Sequence, residues 1–295
     1  MIDPDGAKSE ILIADDDGED AVFGAFRPTP QQEAIRRLTH RLPYNYAGRK
    51  LASLLLGLAG GRAGACFDVP VFSSQAARLH PKDNICEKRV YVTPDHWDPE
   101  ERAILESRIE RSSGAGFFFL DVGANVGLYS LFARAVAART GLKFHAACVE
   151  ADPEMRRRLG FNVAASGAEN DFVILPYAAA ATRARLSFSV HRSNRGMSRL
   201  DADGAHTVQG APLIDMIRQE TNFPRIDAMK IDIEGAEEAV LRAFFDAAPA
   251  AMAPLLAIVE TSHESKAGAI AALFKDAGYG AVFNNDKNAV FARGP

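Results

Sequence analysis

Apolar residues follow two rhythms along this chain, and the change comes near residue 117. Before it, Gln31 to Leu42 reads as a charged helix. Leu51, Leu54, Leu55 and Leu58 then recur at i, i+3, i+4 and i+7, the stripe of an amphipathic helix that Gly60-Gly61 ends. Such a stripe suits packing on the protein's own body, with a partner or a membrane surface as the alternatives. Phe67–Phe72 and Arg89–Val92 read as short strands, and Pro99 to Arg111 as a helix. Ser112-Ser113-Gly114 marks the boundary of the main domain.

Beyond it, strands and helices alternate. Phe117–Val122 is a continuous apolar run, as in a strand buried on both faces. A helix follows with Leu128, Leu131, Phe132, Ala135 and Val136 on one stripe. Phe144–Val149 is a second buried strand, and Pro153 suits the first turn of the next helix. Asp171–Leu175, Ile226–Ile233 and Leu255–Val259 read as further strands. This alternation predicts a parallel sheet covered by helices on both faces. Leu186, Phe188 and Val190 alternate with serines, as in a strand with one exposed face. Gly280–Phe283 and Ala289–Ala292 flank Asn284-Asn285-Asp286-Lys287 as a hairpin. The predicted fold class is therefore α/β, a Rossmann-like sheet, mostly parallel with an antiparallel C-terminal strand, behind an N-terminal extension. The predicted divisions are an acidic tail without fixed structure (1–30), a helical or mixed extension (31–112) and the main domain (113–295).

Charge and cysteine content narrow the function classes. With 34 basic and 38 acidic residues the net charge is −4, which provides no broad electrostatic case for nucleic acid. Cys66, Cys86 and Cys148 are far apart in sequence, lack C-x-x-C spacing and read as free thiols of a reducing cytosol. The N-terminus has acids where a signal peptide has positive charge, and the apolar run Leu51–Ala59 is about half the length of a membrane span. A cytoplasmic protein with no membrane span is expected.

The chemistry centres on Leu120 to Ser130, LDVGANVGLYS. Gly123 and Gly127 flank Asn125 at a strand-to-helix junction, where glycine allows positive φ and close approach of a ligand to the backbone. Glu150 ends the second strand, where doubly wound folds place an acid that binds ribose hydroxyls. Asp121 precedes the first glycine, and the third glycine of a dinucleotide fingerprint is missing. A carboxylate there repels a pyrophosphate and suits a cationic amine and sulfonium. The reading favours S-adenosylmethionine over NAD.

The stretches FLDVGANVG, VEADP and MKIDIEGAE (Met229 to Glu237) resemble the FkbM-type methyltransferases of the class I S-adenosylmethionine-dependent fold, over about Phe117 to Glu260. The resemblance implies that Asp121, Gly123, Asn125 and Gly127 turn around the methionine part of the cofactor and that Glu150 holds its ribose. Asp152 and Pro153 follow in the family pattern, with Asn162 in the helix beyond, and Tyr177 and Ala178 are implied near the adenine. It also implies O-methylation of a hydroxyl on a small molecule, sugar or glycan.

Lys230, Asp232 and Glu234 alternate, which puts them on one face if the strand persists. Asp232 and Glu234 are the first candidates to take the acceptor's proton, and His263, just past a later strand, is the third. The polar segment His191 to His206 offers Arg192, Arg195 and Arg199 to an acceptor. No metal-ligand spacing is visible, so metal-independent transfer is expected. An NAD-dependent oxidoreductase and a non-catalytic cofactor-binding protein are the competing readings. For residues 31–112, a cap over the acceptor and a homodimer contact both stay open.

Overall fold

The computed structural model describes residues 21–62, 66–114, 116–189, 199–200, 204, 206–263 and 268–294. In chain order the extension forms α1 (Pro30–Thr39), α2 (Tyr46–Leu55), β1 (Phe67–Val71), β2 (Gln75–Leu79), α3 (Ile85–Val92) and α4 (Pro99–Glu110). The remainder forms β3 (Phe117–Val122), α5 (Leu128–Arg139), β4 (Phe144–Val149), α6 (Pro153–Ala165), β5 (Phe172–Leu175), β6 (Ala178–Ala179), β7 (Ala184–Ser189), β8 (Arg199–Leu200) and β9 (His206–Ala211). Then come α7 (Leu213–Glu220), β10 (Ala228–Ile231), α8 (Glu237–Ala247), β11 (Leu256–Glu260), α9 (Ala269–Asp276), β12 (Gly280–Asn284) and β13 (Asn288–Ala292).

Seven strands make the main sheet in the order β12-β13-β11-β10-β3-β4-β5. The pairs from β11 through β5 are parallel, and β13 runs antiparallel to both its neighbours. This is the mostly parallel α/β sheet with an antiparallel C-terminal strand that the alternation predicts. A smaller sheet, β6-β9-β7-β8, stands apart from it.

Alternation along β3 divides the core between the two faces. Phe117 and Phe119 join one cluster, while Leu120 and Val122 join the other with α7, α8 and α9. The first cluster also takes in Leu56, Phe67, Val69, Tyr91 and Trp97, so the extension completes one face of the sheet.

The N-terminal region differs from the sequence reading in three places. Arg89–Val92 is helical, because the Asn84 side chain caps α3 by accepting from the Cys86 and Glu87 backbone N–H groups. The Leu stripe does not face the body: α2 packs through Gly48 and Ala52, with Leu56 beyond, while Leu51, Leu54 and Leu58 are exposed. The small residues let the helix come close, and a Cβ on Gly48 would collide with the Pro43 carbonyl oxygen. Residues 21–30, grouped with the acidic tail by composition, are held against β1: Gly24 and Phe26 donate backbone N–H bonds to Asp68, and the Phe26 ring lies 4.6 Å from the Arg78 guanidinium carbon. The rest of the tail, 1–20, lies outside the described residues.

Candidate active site

The glycine turn follows β3 at the carboxyl edge of the sheet. Gly123, Asn125 and Gly127 all have left-handed backbones, at φ +74°, +53° and +81°. The Gly123 and Ala124 N–H groups both donate to the Val149 carbonyl, which ties the turn to β4. A Cβ on Gly123 would strike the Asp232 carbonyl oxygen, whereas one on Gly127 would strike only the end of the Leu159 side chain. A backbone oxygen cannot swing away, but a leucine methyl can. Gly123→Ala is therefore expected to lose more than about 3 kcal/mol of stability and Gly127→Ala only about 1–2 kcal/mol. Urea melts of the two variants test this, and the reverse order would show that the turn is not wedged against β10.

Glu150 accepts from the Asn125 N–H (2.7 Å) and the Asp152 N–H (2.8 Å), one bond at each carboxylate oxygen. Burial pushes its carboxyl up to about 7. Asp121 is buried beside it in the fold, accepting from the Ser130 hydroxyl at 2.6 Å, and burial raises it too.

Turn and acid line a cavity of about 340 Å³. Tyr177 and Ala178 line the same cavity. Gly127 and Asp152 are not in its wall. Gly127 precedes α5, and Asp152 caps α6 by accepting from the Glu154 N–H. Asn162 ties the extension to the turn, accepting from the Arg78 N–H and donating to the Val126 carbonyl.

Charged groups from β10 and the turn after it line the cavity as well. Lys230 pairs in register with Asp121 and donates to Asp232 at 2.8 Å. Burial alone would lower the Lys230 ammonium, yet Asp232 and Asp121 carry it upward. Burial is the largest influence and opposes ionisation of Asp232, but Lys230, a hydrogen bond with Glu260 and His263 together hold that carboxyl below its ordinary value. The strand stops at Ile231, so the predicted alternation does not reach Glu234. Instead Glu237 accepts from the Ile233 and Gly235 N–H groups, and Glu234 takes a left-handed backbone at φ +56°. That turn brings the Glu234 carboxylate to 2.8 Å from His263 Nε2. Burial and then Asp232 push the Glu234 carboxyl up.

Glu260 was not a sequence candidate. It ends β11 in the cavity wall, 4.0 Å from His263 Nε2, and burial together with Asp232 pushes it up to about 9. The available signal was the one used for Glu150, an acid at the carboxyl end of a buried parallel strand. Glu234, Glu260 and His263 each offer an atom within 4.8 Å of the others, a set that could hold a metal ion.

The pH consequence has a definite sign. Folded Glu260 keeps its proton between its ordinary 4.5 and about 9, so its stabilising contribution is complete below that window and is lost as pH rises through it. Glu260→Gln removes the titration and keeps a hydrogen-bonding group. The melting temperature of the variant should gain on the wild type from pH 5 to 9, at about 2–4 °C per kcal/mol. Parallel melting curves across that range would mean that Glu260 is ionised in the folded protein.

The extension supplies a third wall, from Ile85, Cys86, Arg89, Trp97 and Asp98. Asp98 has a left-handed backbone (φ +41°), caps nothing with its side chain and accepts from the Tyr129 hydroxyl at 2.9 Å. Burial pushes its carboxyl up. Asn84 donates to Asn125 Oδ1 at 2.8 Å, so the extension also reaches the glycine turn. Arg192 and Arg195 lie outside the described residues; Arg199 falls in β8, paired with Ser189.

A family model, the methyltransferase FkbM domain, matches residues 121–280. The chain belongs to the FkbM methyltransferase family. The match begins at Asp121 in the glycine turn, covers Glu150, Asp232–Glu237 and His263, and leaves the extension outside. Among solved structures, methyltransferase FkbM from Methylobacillus flagellatus KT is 15% identical, with 88% of this chain and 58% of that chain covered at a TM-score of 0.42. The chain thus spans less than two thirds of the length of that relative. A SAM-dependent methyltransferase from Agrobacterium tumefaciens is 12% identical over 78% of this chain and 69% of that one, at 0.43. TrmK of M. capricolum, in complex with S-adenosyl-homocysteine, is 8% identical over 63% and 65%, at 0.37. No curated protein matches the chain. As an FkbM methyltransferase family member the chain has the family's Rossmann-like α/β fold. No helix among the described residues is long and apolar enough to cross a membrane.

Proposed function

We propose that this chain binds S-adenosylmethionine and methylates a hydroxyl of a small molecule, sugar or glycan. One observation supports this most: a single cavity is lined by the glycine turn and Glu150 together with Asp232 and the Glu234–His263 pair. The groups suit the cofactor. Gly123 leaves the backbone bare where a Cβ would not fit, and the Glu150 oxygens retain lone pairs after accepting from two backbone N–H groups. In this reading Glu150 holds the ribose, Tyr177 and Ala178 flank the adenine, and Asp121, Gly123 and Asn125 border the methionine part.

When bound, S-adenosylmethionine would supply a methyl carbon activated by its sulfonium, with the thioether as leaving group for transfer to the acceptor oxygen. The protein aligns the two partners and removes one proton. Asp232, kept ionised by Lys230, sets a negative charge toward the sulfonium. His263 donates through Nε2 to Glu234, which leaves Nδ1 to take the acceptor's hydroxyl proton. Glu234 orients the ring and offsets the imidazolium charge.

Calorimetric titration with S-adenosylmethionine, S-adenosylhomocysteine and NAD, side by side, tests the ligand. Binding of the two adenosyl thio-compounds and not NAD is the expected result. NAD binding alone would favour an oxidoreductase, and cofactor binding with no transfer across a broad hydroxyl panel would favour a non-catalytic binder. Transfer is expected to be metal-independent, because Asp232 and Glu234 already have Lys230 and His263 as partners. Activity lost in a chelator and restored by a divalent cation would instead assign the Glu234–Glu260–His263 set to a metal.

A further inference from the structure

The exposed face of α2 has no part in the cavity. Leu51, Leu54 and Leu58 lie along it at i, i+3 and i+7, exposed by 43%, 68% and 64%, and Tyr44 and Tyr46 are exposed just before them. Exposed apolar residues scattered singly need no explanation, but a row on one helix face does. The flanking sequence carries charge of one sign, and the acid that acts most on this surface is Glu100 of α4, felt at Tyr44. Residues 34–67 contain no Asp or Glu, in a chain whose net charge is −4. Arg36 and Arg37 share the one carboxylate of Glu33. Arg41, Arg49, Lys50 and Arg62 remain, all exposed and none in an ion pair among the described residues. Lys50 rests over the Tyr46 ring, 5.4 Å from its centroid, and Arg62 donates to the Ser53 carbonyl, which keeps both cations beside the apolar row.

We propose that this face of α2 docks on an anionic lipid surface. A helix lying in the interface buries leucines below the headgroups while flanking cations meet lipid phosphates, and tyrosines sit at the boundary. Charge decides between occupants. A second copy joined through the same face would bring these cations against their equals. Nucleic acid would meet the cations but leave the leucines uncovered. An anionic bilayer satisfies both halves of the surface.

Co-sedimentation of the full chain with vesicles tests this, using equimolar phosphatidylcholine and phosphatidylglycerol against phosphatidylcholine alone. Binding to the anionic vesicles only, weakened by salt, is expected. Arg49→Gln with Lys50→Gln should weaken it roughly thirtyfold, at about fivefold per basic side chain. Leu54→Gln with Leu58→Gln should weaken it about tenfold or more. All four side chains are exposed, so melting temperatures should stay at the wild-type value, and the charge pair reads the proposal even if the leucine pair does not fold. Equal binding to both vesicles, or to neither, overturns it. So does a concentration-dependent dimer abolished by the leucine changes, or capture of duplex DNA without vesicle binding.

Discussion

Glu150→Ala is expected to weaken S-adenosylmethionine binding by at least a hundredfold. Two hydrogen bonds from ribose hydroxyls to a charged acceptor, at about 1.5 kcal/mol each, amount to about 3 kcal/mol, or roughly 150-fold. The same substitution also releases the Asn125 and Asp152 N–H groups, which loosens the glycine turn from β4. Glu150→Gln keeps one acceptor oxygen and should fall between the two. His263→Ala, whose partners are Glu234 and Glu260 and not the glycine turn, should change affinity by less than about threefold. Calorimetry on the three variants separates these effects. Equal losses at Glu150 and His263 would move the ribose away from β4.

The second large effect concerns turnover. Glu234→Gln and His263→Ala should each lower kcat by about 10²–10⁴, the range for general-base catalysis, with cofactor Kd nearly unchanged. The two groups are 2.8 Å apart and act as a unit in the proposed proton transfer. The double variant should therefore be no slower than the worse single one. Steady-state rates with whichever hydroxyl compound the panel yields provide the measurement. Additive losses would mean that the residues act on different steps, and losses confined to Kd would make them binding groups.

Much of the fold could be read from local patterns. The strands β3 and β4 match their predicted runs residue for residue, because apolar side chains buried on both faces carry the pattern past Asp121 and His145. Glu150 could be read for a similar reason: strand end and glycine turn are linked by a fixed crossover. The failures have physical causes as well. Arg89–Val92 has strand-like composition, but the Asn84 cap decides for helix. The stripe on α2 is apolar, yet periodicity cannot tell a face that packs from a face that waits for a surface, and Gly48 and Ala52 took the packing role. Glu234 reaches the cavity by a route the alternation does not describe, since the strand ends before it and a turn held by Glu237 carries it to His263. Asp98 and Arg89 join the cavity from far away in the chain, with no local pattern around them.

The amide of Asn84 on the glycine turn has a consequence for how the molecule responds as a whole. The extension and the sheet share one core, so neither can melt and leave the other intact. A ligand seated at the turn therefore stabilises the entire assembly, by about 1.4 kcal/mol for every tenfold excess over its Kd. Cofactor supply thereby becomes a setting for the rigidity of distant surfaces, and a helix that touches no part of the ligand still registers its arrival.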